Sequence, residues 1–293
     1  MTERIDTPQF ATRWQQAQER PVGLIGKARR LLRRGAITGA AQLAELTGQA
    51  NATASLRLLF CHYVFDNQRA AFEAQLKQLQ GIGEFVSTAR CLQMLRGQVP
   101  IERPSFHLSF DDGFANIATN AAPIMKRLGI PGTFFVPTSI IGADYQTVRH
   151  FCLDVTQYRA VVELASWEQL GRLAEQGIDI ASHTRTHTRF SDMSADRSRM
   201  EDEIFGSKAD IERELGLPCP YISWPYGRLS DADDRSLALV REAGYEACFG
   251  AWRGQIRPGK TDPFNIPRHH FEPEWPLAHV RYFARGAREE PVS

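Results

Sequence analysis

The feature that most constrains the fold of this chain is a regular alternation of short apolar strands with longer amphipathic helices. Residues 105–110 predict a strand that ends in Asp111-Asp112-Gly113, and a helix over 117–128 follows it. Strands separated by helices of ten or more residues predict βα units, and therefore a mostly parallel sheet or barrel. The same pattern predicts further strands over 133–137, 178–182, 221–224 and 245–249, and further helices over 167–176, 196–215 and 233–243.

The first third of the chain divides into two parts. Residues 1–54 are dense in Ala, Gln, Arg and Leu, which predicts a helical N-terminal extension. The largely apolar run over 56–65, which includes His62, predicts a buried strand, and a helix over 69–80 follows it. We therefore expect an extension over residues 1–54 and one main domain over residues 55–293.

Composition excludes several classes of protein. The 293 residues carry 35 Lys and Arg against 34 Asp and Glu, and this balance argues against a dedicated nucleic-acid binder. The five cysteines are scattered and form no Cys-x-x-Cys pair, so we expect small core residues and not a disulfide framework or a thiolate zinc site. No apolar run approaches the roughly 20 residues of a membrane span, and the first residues lack an apolar signal-peptide core. These features predict a cytoplasmic protein.

One strongly basic stretch, residues 27–34, stands out from this balanced composition. It predicts either a solvated helix face or contact with an anionic membrane surface, which would place the protein at the inner face of the membrane.

Polar clusters follow three of the predicted strands, at the edge where barrels and parallel sheets build their sites. Asp111 and Asp112 repel each other unless a cation or a shared proton relieves them. His183 and His187 are spaced so that both imidazoles can reach one ion. Taken singly, the aspartates fit a helix-capping turn and the histidines a surface loop. Together, two histidines and one carboxylate predict one divalent metal, above all zinc, with open positions for water and substrate.

These residues also carry a resemblance. Residues 109–113 (Ser-Phe-Asp-Asp-Gly), 132–136 (Gly-Thr-Phe-Phe-Val) and 182–187 (Ser-His-Thr-Arg-Thr-His) match three motifs in the order found in the polysaccharide deacetylase family, also called NodB-homology or carbohydrate esterase family 4. The chain from about residue 56 to 271 resembles that family. The resemblance implies an α/β fold, a distorted (β/α) barrel of the NodB-homology type that forms the catalytic domain. The N-terminal helical extension is expected to pack on this barrel or to lean on a membrane or a partner.

The resemblance also implies a reaction. A metal-dependent N-deacetylase would remove an acetyl or other small acyl group from an N-acylated sugar during synthesis of a surface polysaccharide or glycolipid. Asp112, His183 and His187 would hold the metal, and Asp111 would be the base that acts on a metal-activated water. A backbone N–H near Tyr226 would stabilise the oxyanion.

Two departures from the family pattern bear on the remaining roles. The family's Arg-Pro-Pro-Tyr-Gly motif reads Ser-Trp-Pro-Tyr-Gly over residues 223–227, and no Leu-x-His motif closes the chain. Both departures resemble the circularly permuted poly-N-acetylglucosamine deacetylases, whose acid histidine comes from an N-terminal strand. This implies His62 as the acid, with a buried core histidine as the alternative reading and His269 and His270 as rival acids.

Three further residues are assigned on the same basis. Arg268 is expected to replace the missing motif arginine and to pair with Asp111. Trp224 and Tyr226 are candidates for stacking on a sugar ring, although Trp224 fits a core position equally well.

Other functions stay open from the sequence alone. A carbohydrate-binding protein that retains the fold with weak catalysis would explain the missing motif arginine. A non-haem iron oxygenase would use the same ligands, but Asp112 and His183 lie 71 positions apart and Asp111 would have no role. A metalloprotease is disfavoured because no Glu follows His183. The expected partner is an N-acylated sugar: a glycan, a nucleotide sugar or a lipid-linked sugar.

Overall fold

The computed structural model describes residues 9–18, 32, 35–40, 43 and 54–286. Within these residues, eight strands form one sheet in the order β7-β6-β5-β4-β3-β1-β8, with β2 beside β3. Every strand pair is parallel. The strands are β1 (Ser55–Cys61), β2 (Glu84–Phe85), β3 (Pro104–Phe110), β4 (Gly132–Val136), β5 (Ile178–Ser182), β6 (Tyr221–Ser223), β7 (Ala247–Phe249) and β8 (His269–His270).

The sheet curls until its two ends meet at one short segment, residues 266–270, which we call the seam. Ile266 forms a parallel bridge with Phe249 of β7, at one end of the sheet. A few residues later His269 pairs with Leu59 of β1, near the other end. The predicted distorted (β/α) barrel is confirmed, and the seam is the part of the chain that brings its ends together.

Helices of the described residues pack around this sheet; a π-turn interrupts one of them, and π-turns adjoin the ends of two others. The predicted helix over 196–215 contains a π-turn at Asp202–Gly206, and the one over 117–128 begins with a π-turn at Ile117–Ala121. The α-helices are Trp14–Gln18, Arg69–Gln80, Thr88–Leu95, Ala122–Leu128, Tyr145–His150, Trp167–Glu175, Arg197–Glu201, Ser207–Leu215, Asp234–Glu242 and Leu277–Ala284.

The first strand is shorter than predicted. Strand β1 ends at Cys61 and not at residue 65. The backbone N–H of Val64 donates to the side chain of Asn116, and that of Phe65 donates to Gln68. Because these amides bond side chains, they cannot continue the ladder, and His62 becomes the first residue beyond the strand.

The two faces of the sheet carry different residues. Phe106, Leu108 and Phe110 of β3 belong to the larger apolar core beneath the outer helices. A smaller apolar cluster, which includes Leu58, Phe135 and Phe249, lies on the inner face with the helix Thr88–Leu95. Because side chains alternate along a strand, His107 and Ser109 of β3 lie on the inner face, and Asp111 follows them there.

Part of the sequence reading lies outside the described residues. The basic stretch 27–34 does so except for Leu32, whereas the helix Trp14–Gln18 and helical residues 35–40 are described. The division at residue 54 stays a prediction. All five cysteines are buried and free, as predicted. No helix within the described ranges is both long and apolar enough to cross a membrane.

Close approach of two backbones near β2 yields a prediction about stability. A Cβ atom on Gly83 would lie 2.3 Å from the carbonyl oxygen of Pro104, so Gly83→Ala should lower the free energy of unfolding by about 2 kcal/mol or more. Gly171 is the matched control, because in the middle of a helix its Cβ would meet nothing closer than 3.9 Å. Gly171→Ala should raise stability by up to about 1 kcal/mol. Urea unfolding measures both free energies, and equal effects would contradict the register of β2 on β3.

Candidate active site

A cavity of about 390 Å³ opens where the carboxyl ends of β1, β3, β5 and β6 meet. The predicted clusters, which are far apart in sequence, converge on it. Seven of the eight predicted site residues line the cavity: His62, Asp111, Asp112, His183, His187, Trp224 and Tyr226. The eighth, Arg268, lies directly behind Asp111.

The backbone around this cavity is strained. Five non-glycine residues in the described ranges have positive φ angles, and each lines the cavity or adjoins a residue that does. Such conformations cost about 1–3 kcal/mol each and persist where the surrounding structure enforces them, commonly at functional sites. They are Asp112 (70°), Gln157 (58°), Thr184 (64°), His187 (63°) and Tyr226 (64°).

Asp112, His183 and His187 form a buried cluster whose geometry fits one metal ion, and we call it the metal-like cluster. Their ligand atoms all lie within 4.8 Å of one another. Oδ1 of Asp112 is 3.6 Å from Nε2 of His183 and 3.3 Å from Nε2 of His187. Two ligands of a tetrahedral ion, each about 2.0–2.2 Å from it, lie about 3.3–3.6 Å apart. The observed spacing therefore suits three ligands that share an ion.

The tautomer of His183 also suits a metal ligand. Its Nδ1 lies 2.8 Å from the backbone carbonyl oxygen of Ser223, which can only accept, so Nδ1 carries the proton. The lone pair of Nε2 then faces Asp112, the arrangement usual for metal-ligating histidines. Although burial opposes it, the charges of Asp111 and Asp112 raise the pKa of His183 above its ordinary value. The cluster thus attracts positive charge.

A buried carboxylate holds the loop that carries both histidines. Glu203, which lies in the π-turn Asp202–Gly206, accepts hydrogen bonds from the backbone N–H groups of Arg185 and Thr186, each 2.9 Å long. The hydroxyl of Thr186 donates to the same carboxylate. The backbone N–H of His187 donates to Thr184 within the loop. These bonds hold the positive-φ residues of the loop in place.

Arg268 is completely buried, with 0% of its surface exposed, and all five of its N–H donors are used. Two donate to the two carboxylate oxygens of Asp111, at 2.8 and 2.7 Å. The others donate to the hydroxyls of Ser109 (3.0 Å) and Ser223 (2.6 Å) and to the carbonyl oxygen of Gly250 (2.7 Å). The structure therefore brings Arg268 to Asp111 as the sequence predicted.

The surroundings of this ion pair keep Asp111 ionised. The guanidinium of Arg268 lies between the rings of Phe60 and Phe135, 4.5 and 5.0 Å from their centroids. Burial alone would raise the pKa of Asp111, but the charges of Arg268 and His183 more than offset it and lower that pKa below its usual value. Asp111 is thus a carboxylate at neutral pH.

The three candidate acids occupy different places. His62 is half-buried in the cavity wall, 5.3 Å from the ring of His270. Burial lowers the pKa of His270 to about 3 and that of His269 also to about 3, so both are neutral at neutral pH. Nε2 of His269 bonds the carbonyl oxygen of Gly254, and His269 does not line the cavity.

The two aromatic candidates also differ. Trp224 is only 1% exposed, and its indole N–H donates to the carbonyl oxygen of Arg228. That burial suits a floor of the cavity and not a free stacking platform. Tyr226 is 37% exposed, but the guanidinium of Arg189 covers its ring at 3.6 Å and the ring of His187 lies 4.9 Å away. The burial of Trp224 disfavours sugar stacking on its ring. Contacts of Trp224 and Tyr226 with a substrate stay predictions.

The central part of the chain matches a known protein family. The family model described as Polysaccharide deacetylase matches residues 98–248, about half of the chain. The chain belongs to this family. The matched region contains Asp111, the three residues of the metal-like cluster and Tyr226, whereas His62 and Arg268 lie outside it on opposite sides.

Individual members of the family resemble the chain at low identity. The poly-beta-1,6-N-acetyl-D-glucosamine N-deacetylase of Staphylococcus aureus strain MRSA252 is 23% identical over 214 residues, 68% of this chain and 66% of that protein. A relative from Bacillus subtilis is matched over 55% of its length. The chain thus spans between about half and two thirds of the length of these curated relatives.

Solved structures share the fold. IcaB from Ammonifex degensii superposes with a TM-score of 0.65 at 22% identity, covering 80% of this chain and 98% of that one. The Streptococcus pyogenes deacetylase PplD, in complex with acetate, gives a TM-score of 0.61 at 18% identity over 77% of this chain and 96% of that chain. These likenesses support the barrel fold of the polysaccharide deacetylases.

The departure from the family's arginine motif has a structural explanation. Ser223 stands where the motif carries Arg, and its hydroxyl accepts a hydrogen bond from Arg268. A serine leaves room for a guanidinium that reaches Asp111 from the seam. Sequence reasoning predicted Arg268 but missed Ser109, Ser223 and Glu203; the serine in place of the motif arginine was the one available signal.

The ion pair generates a prediction about stability. Arg268→Met leaves the Asp111 carboxylate buried without a partner, which should cost about 3–5 kcal/mol of unfolding free energy at pH 7. Because the folded state lowers the pKa of Asp111, the ion pair contributes to the unfolding free energy above the unfolded-state pKa of about 3.9. The contribution of the ion pair is lost as the pH falls through the folded-state pKa of Asp111. The difference in unfolding free energy between Arg268→Met and the wild type should therefore narrow below about pH 4.

Denaturant unfolding at several pH values measures this difference. The double variant Arg268→Met/Asp111→Asn removes both charges and should recover part of the loss. Additive effects of the two substitutions would show that the pair contributes nothing.

Metal content generates a second prediction. Purified protein equilibrated with zinc should bind one ion per chain, measured by elemental analysis. His183→Ala and His187→Ala should lose it, because each removes a ligand, whereas Asp111→Asn should retain it. His150→Ala is the matched control, since His150 is exposed and outside the cavity. Full metal content in His187→Ala would contradict the assigned cluster.

Proposed function

We propose that this chain is a metal-dependent N-deacetylase that removes an acetyl or other small acyl group from an amino sugar of a glycan or glycolipid. One observation carries the proposal: an ionised carboxylate, Asp111, is locked by Arg268 beside a three-residue cluster of metal-ligand geometry. Membership of the polysaccharide deacetylase family and the name of the Staphylococcus relative support the reaction class and an N-acetylated glycan as substrate.

Asp112, His183 and His187 would hold a divalent ion, for which zinc fits the donor set. Such an ion supplies Lewis-acid polarisation of the amide carbonyl and of the attacking water.

Asp111 acts as the general base. It accepts a proton from the water that attacks the carbonyl carbon of the amide. The two bonds from Arg268 fix both carboxylate oxygens, so the base keeps one orientation throughout the reaction. Orientation of this kind lowers the barrier because the reacting groups need not be ordered again in each turnover.

His62 acts as the general acid. An amide nitrogen is a poor leaving group unless it is protonated, so the reaction needs a proton donor on the cavity wall. His62 and His270 both line the cavity, but the low pKa of His270 leaves that imidazole without a proton to donate. His270 is therefore the weaker candidate, which favours His62.

The oxyanion would be held by the backbone N–H of Tyr226. The positive φ of Tyr226 turns its backbone at the rim of the cavity. Within the part of the chain that the structure describes, no acceptor bonds this N–H group. A donor kept free at the cavity is suited to charge that develops during the reaction.

The alternative of a catalytically weak binding protein depended on the missing motif arginine. Arg268 supplies a guanidinium to Asp111 from another segment, so that support is removed. Location in the cytoplasm and membrane contact through residues 27–34 stay proposals, which cell fractionation with and without those residues would test.

Deacetylation itself is the direct prediction. The protein should release acetate from oligomers of β-1,6-linked N-acetylglucosamine, from a nucleotide sugar or from a lipid-linked amino sugar, and a chelator should abolish the release. Asp111→Asn and His62→Ala should each retain the metal and lose about 10²-fold or more in kcat, the usual contribution of a general base or acid.

His150→Ala again serves as the control and should match the wild type. Release that survives chelation would exclude a metal-dependent mechanism. No release from any substrate by the metal-loaded protein would favour the binding-protein alternative, and a near wild-type rate for His62→Ala would transfer the acid role to His270.

A further inference from the structure

One wall of the cavity contains two tyrosines that the proposed chemistry does not use. Tyr63 and Tyr158 both line the cavity, with ring centroids 6.1 Å apart and planes at 78°. Both side chains are largely buried, 3% and 8% exposed. Their position beside the reacting groups calls for an explanation.

The loop that carries Tyr158 is built from unusual backbone. The π-turn Phe151–Val155 precedes it, and Gln157 has a φ of 58°. The backbone N–H of Tyr158 donates to the carbonyl oxygen of Cys152 at 2.7 Å, and Phe114 packs edge-on against its ring at 5.1 Å. Backbone strain of this kind persists where the surrounding structure enforces it, and it places Tyr158 in the wall.

The hydroxyl of Tyr158 differs from that of a structural tyrosine. Buried tyrosine hydroxyls usually have a hydrogen-bond partner, as that of Tyr245 does in donating to the carbonyl oxygen of Ile204 at 2.9 Å. No residue in the described ranges bonds the Tyr158 hydroxyl. Burial, with the charge of Asp112 adding to it, raises the pKa of Tyr158 well above its usual value. The phenol therefore keeps its proton and has a donor to offer.

The N-terminal segment holds this wall from outside. We call residues 9–18 the strap. The backbone N–H of Ala11 donates to the carbonyl oxygen of Val161 (2.8 Å), and that of Arg159 donates to Ala17 (2.9 Å). The indole N–H of Trp14 donates to the hydroxyl of Tyr63 at 3.3 Å. The strap thus bonds the chain just beyond Tyr158 and the ring that packs against it.

We propose that Tyr158 is a substrate-binding residue whose phenol donates a hydrogen bond to a hydroxyl oxygen of the amino sugar, with Trp14 of the strap as a positioning residue for that wall. This inference rests on the proposed function, because it takes an N-acylated sugar as the ligand. A hydrogen bond to a part of the sugar that does not react stabilises bound substrate and transition state equally. Its loss should therefore raise KM and leave kcat unchanged.

The test compares Tyr158→Phe with Tyr145→Phe, using an oligomer of β-1,6-linked N-acetylglucosamine. Tyr145 is a partly buried tyrosine outside the cavity, so its variant controls for loss of a phenol as such. Tyr158→Phe should raise KM about threefold to tenfold, the effect of one neutral hydrogen bond, with kcat and metal content unchanged. Trp14→Phe keeps an aromatic ring without the N–H and should raise KM in the same direction by a smaller factor.

A second measurement separates this inference from the proposed function. Calorimetric titration of the chelated, full-length protein with the same oligomer gives Kd without turnover, and Tyr158→Phe should weaken it by the same factor. Weaker binding in the variant supports the assignment even if the wild type shows no deacetylation. An unchanged KM and Kd, a loss confined to kcat, or no binding of the oligomer by the wild type would each overturn it.

Discussion

The buried pair of Arg268 and Asp111 is the interaction on which the rest of this site depends. A charge removed from water is costly unless it is paired and its remaining donors are bonded. Arg268 meets that requirement with bonds to β3, to β6, to the residue after β7 and to Asp111 itself. Because Arg268 lies on the seam, the same side chain joins the closing segment of the barrel to the proposed base. The contacts that close the barrel therefore also orient the proposed base.

The metal-like cluster shows how local strain is supported from a distance. Asp112 and His187 stand on positive-φ backbone, which an isolated chain would leave. The conformation of the histidine loop persists because Glu203, on a helix outside the barrel, bonds its backbone, and because the carbonyl of Ser223 orients His183. Ser223 thus has two roles: its carbonyl orients a proposed ligand, and its hydroxyl accepts from the arginine that the family motif would have placed at this position.

The cavity is assembled from segments that are far apart in the chain, between residues 60 and 272. The proposed base and one proposed metal ligand follow β3, two further proposed ligands follow β5, the proposed acid follows β1, and Arg268 precedes β8. The strap does not line the cavity; it bonds Tyr63 and the chain just beyond Tyr158 from outside. The proposed catalytic groups therefore lie at or next to the ends of the barrel strands, whereas the proposed contact with the sugar lies on the loop that carries Tyr158.

Much of this was readable from the sequence because it depends on local pattern. Alternating strands and helices predict parallel βα units, and polar residues directly after strands predict the edge at which a site forms. Asp111, Asp112, His183 and His187 are predicted as site residues on this basis, and the structure places them around one cavity. The pairing of Arg268 with Asp111 was predicted as well, from a motif that lacked its arginine. Tertiary structure alone decided the rest. The space beside Ser223, the burial of Trp224, the neutrality of His270 and the strap behind Tyr158 depend on which distant segments pack together. Hydrophobic periodicity specifies the elements, but the contacts between elements are set by barrel closure and by the burial it imposes.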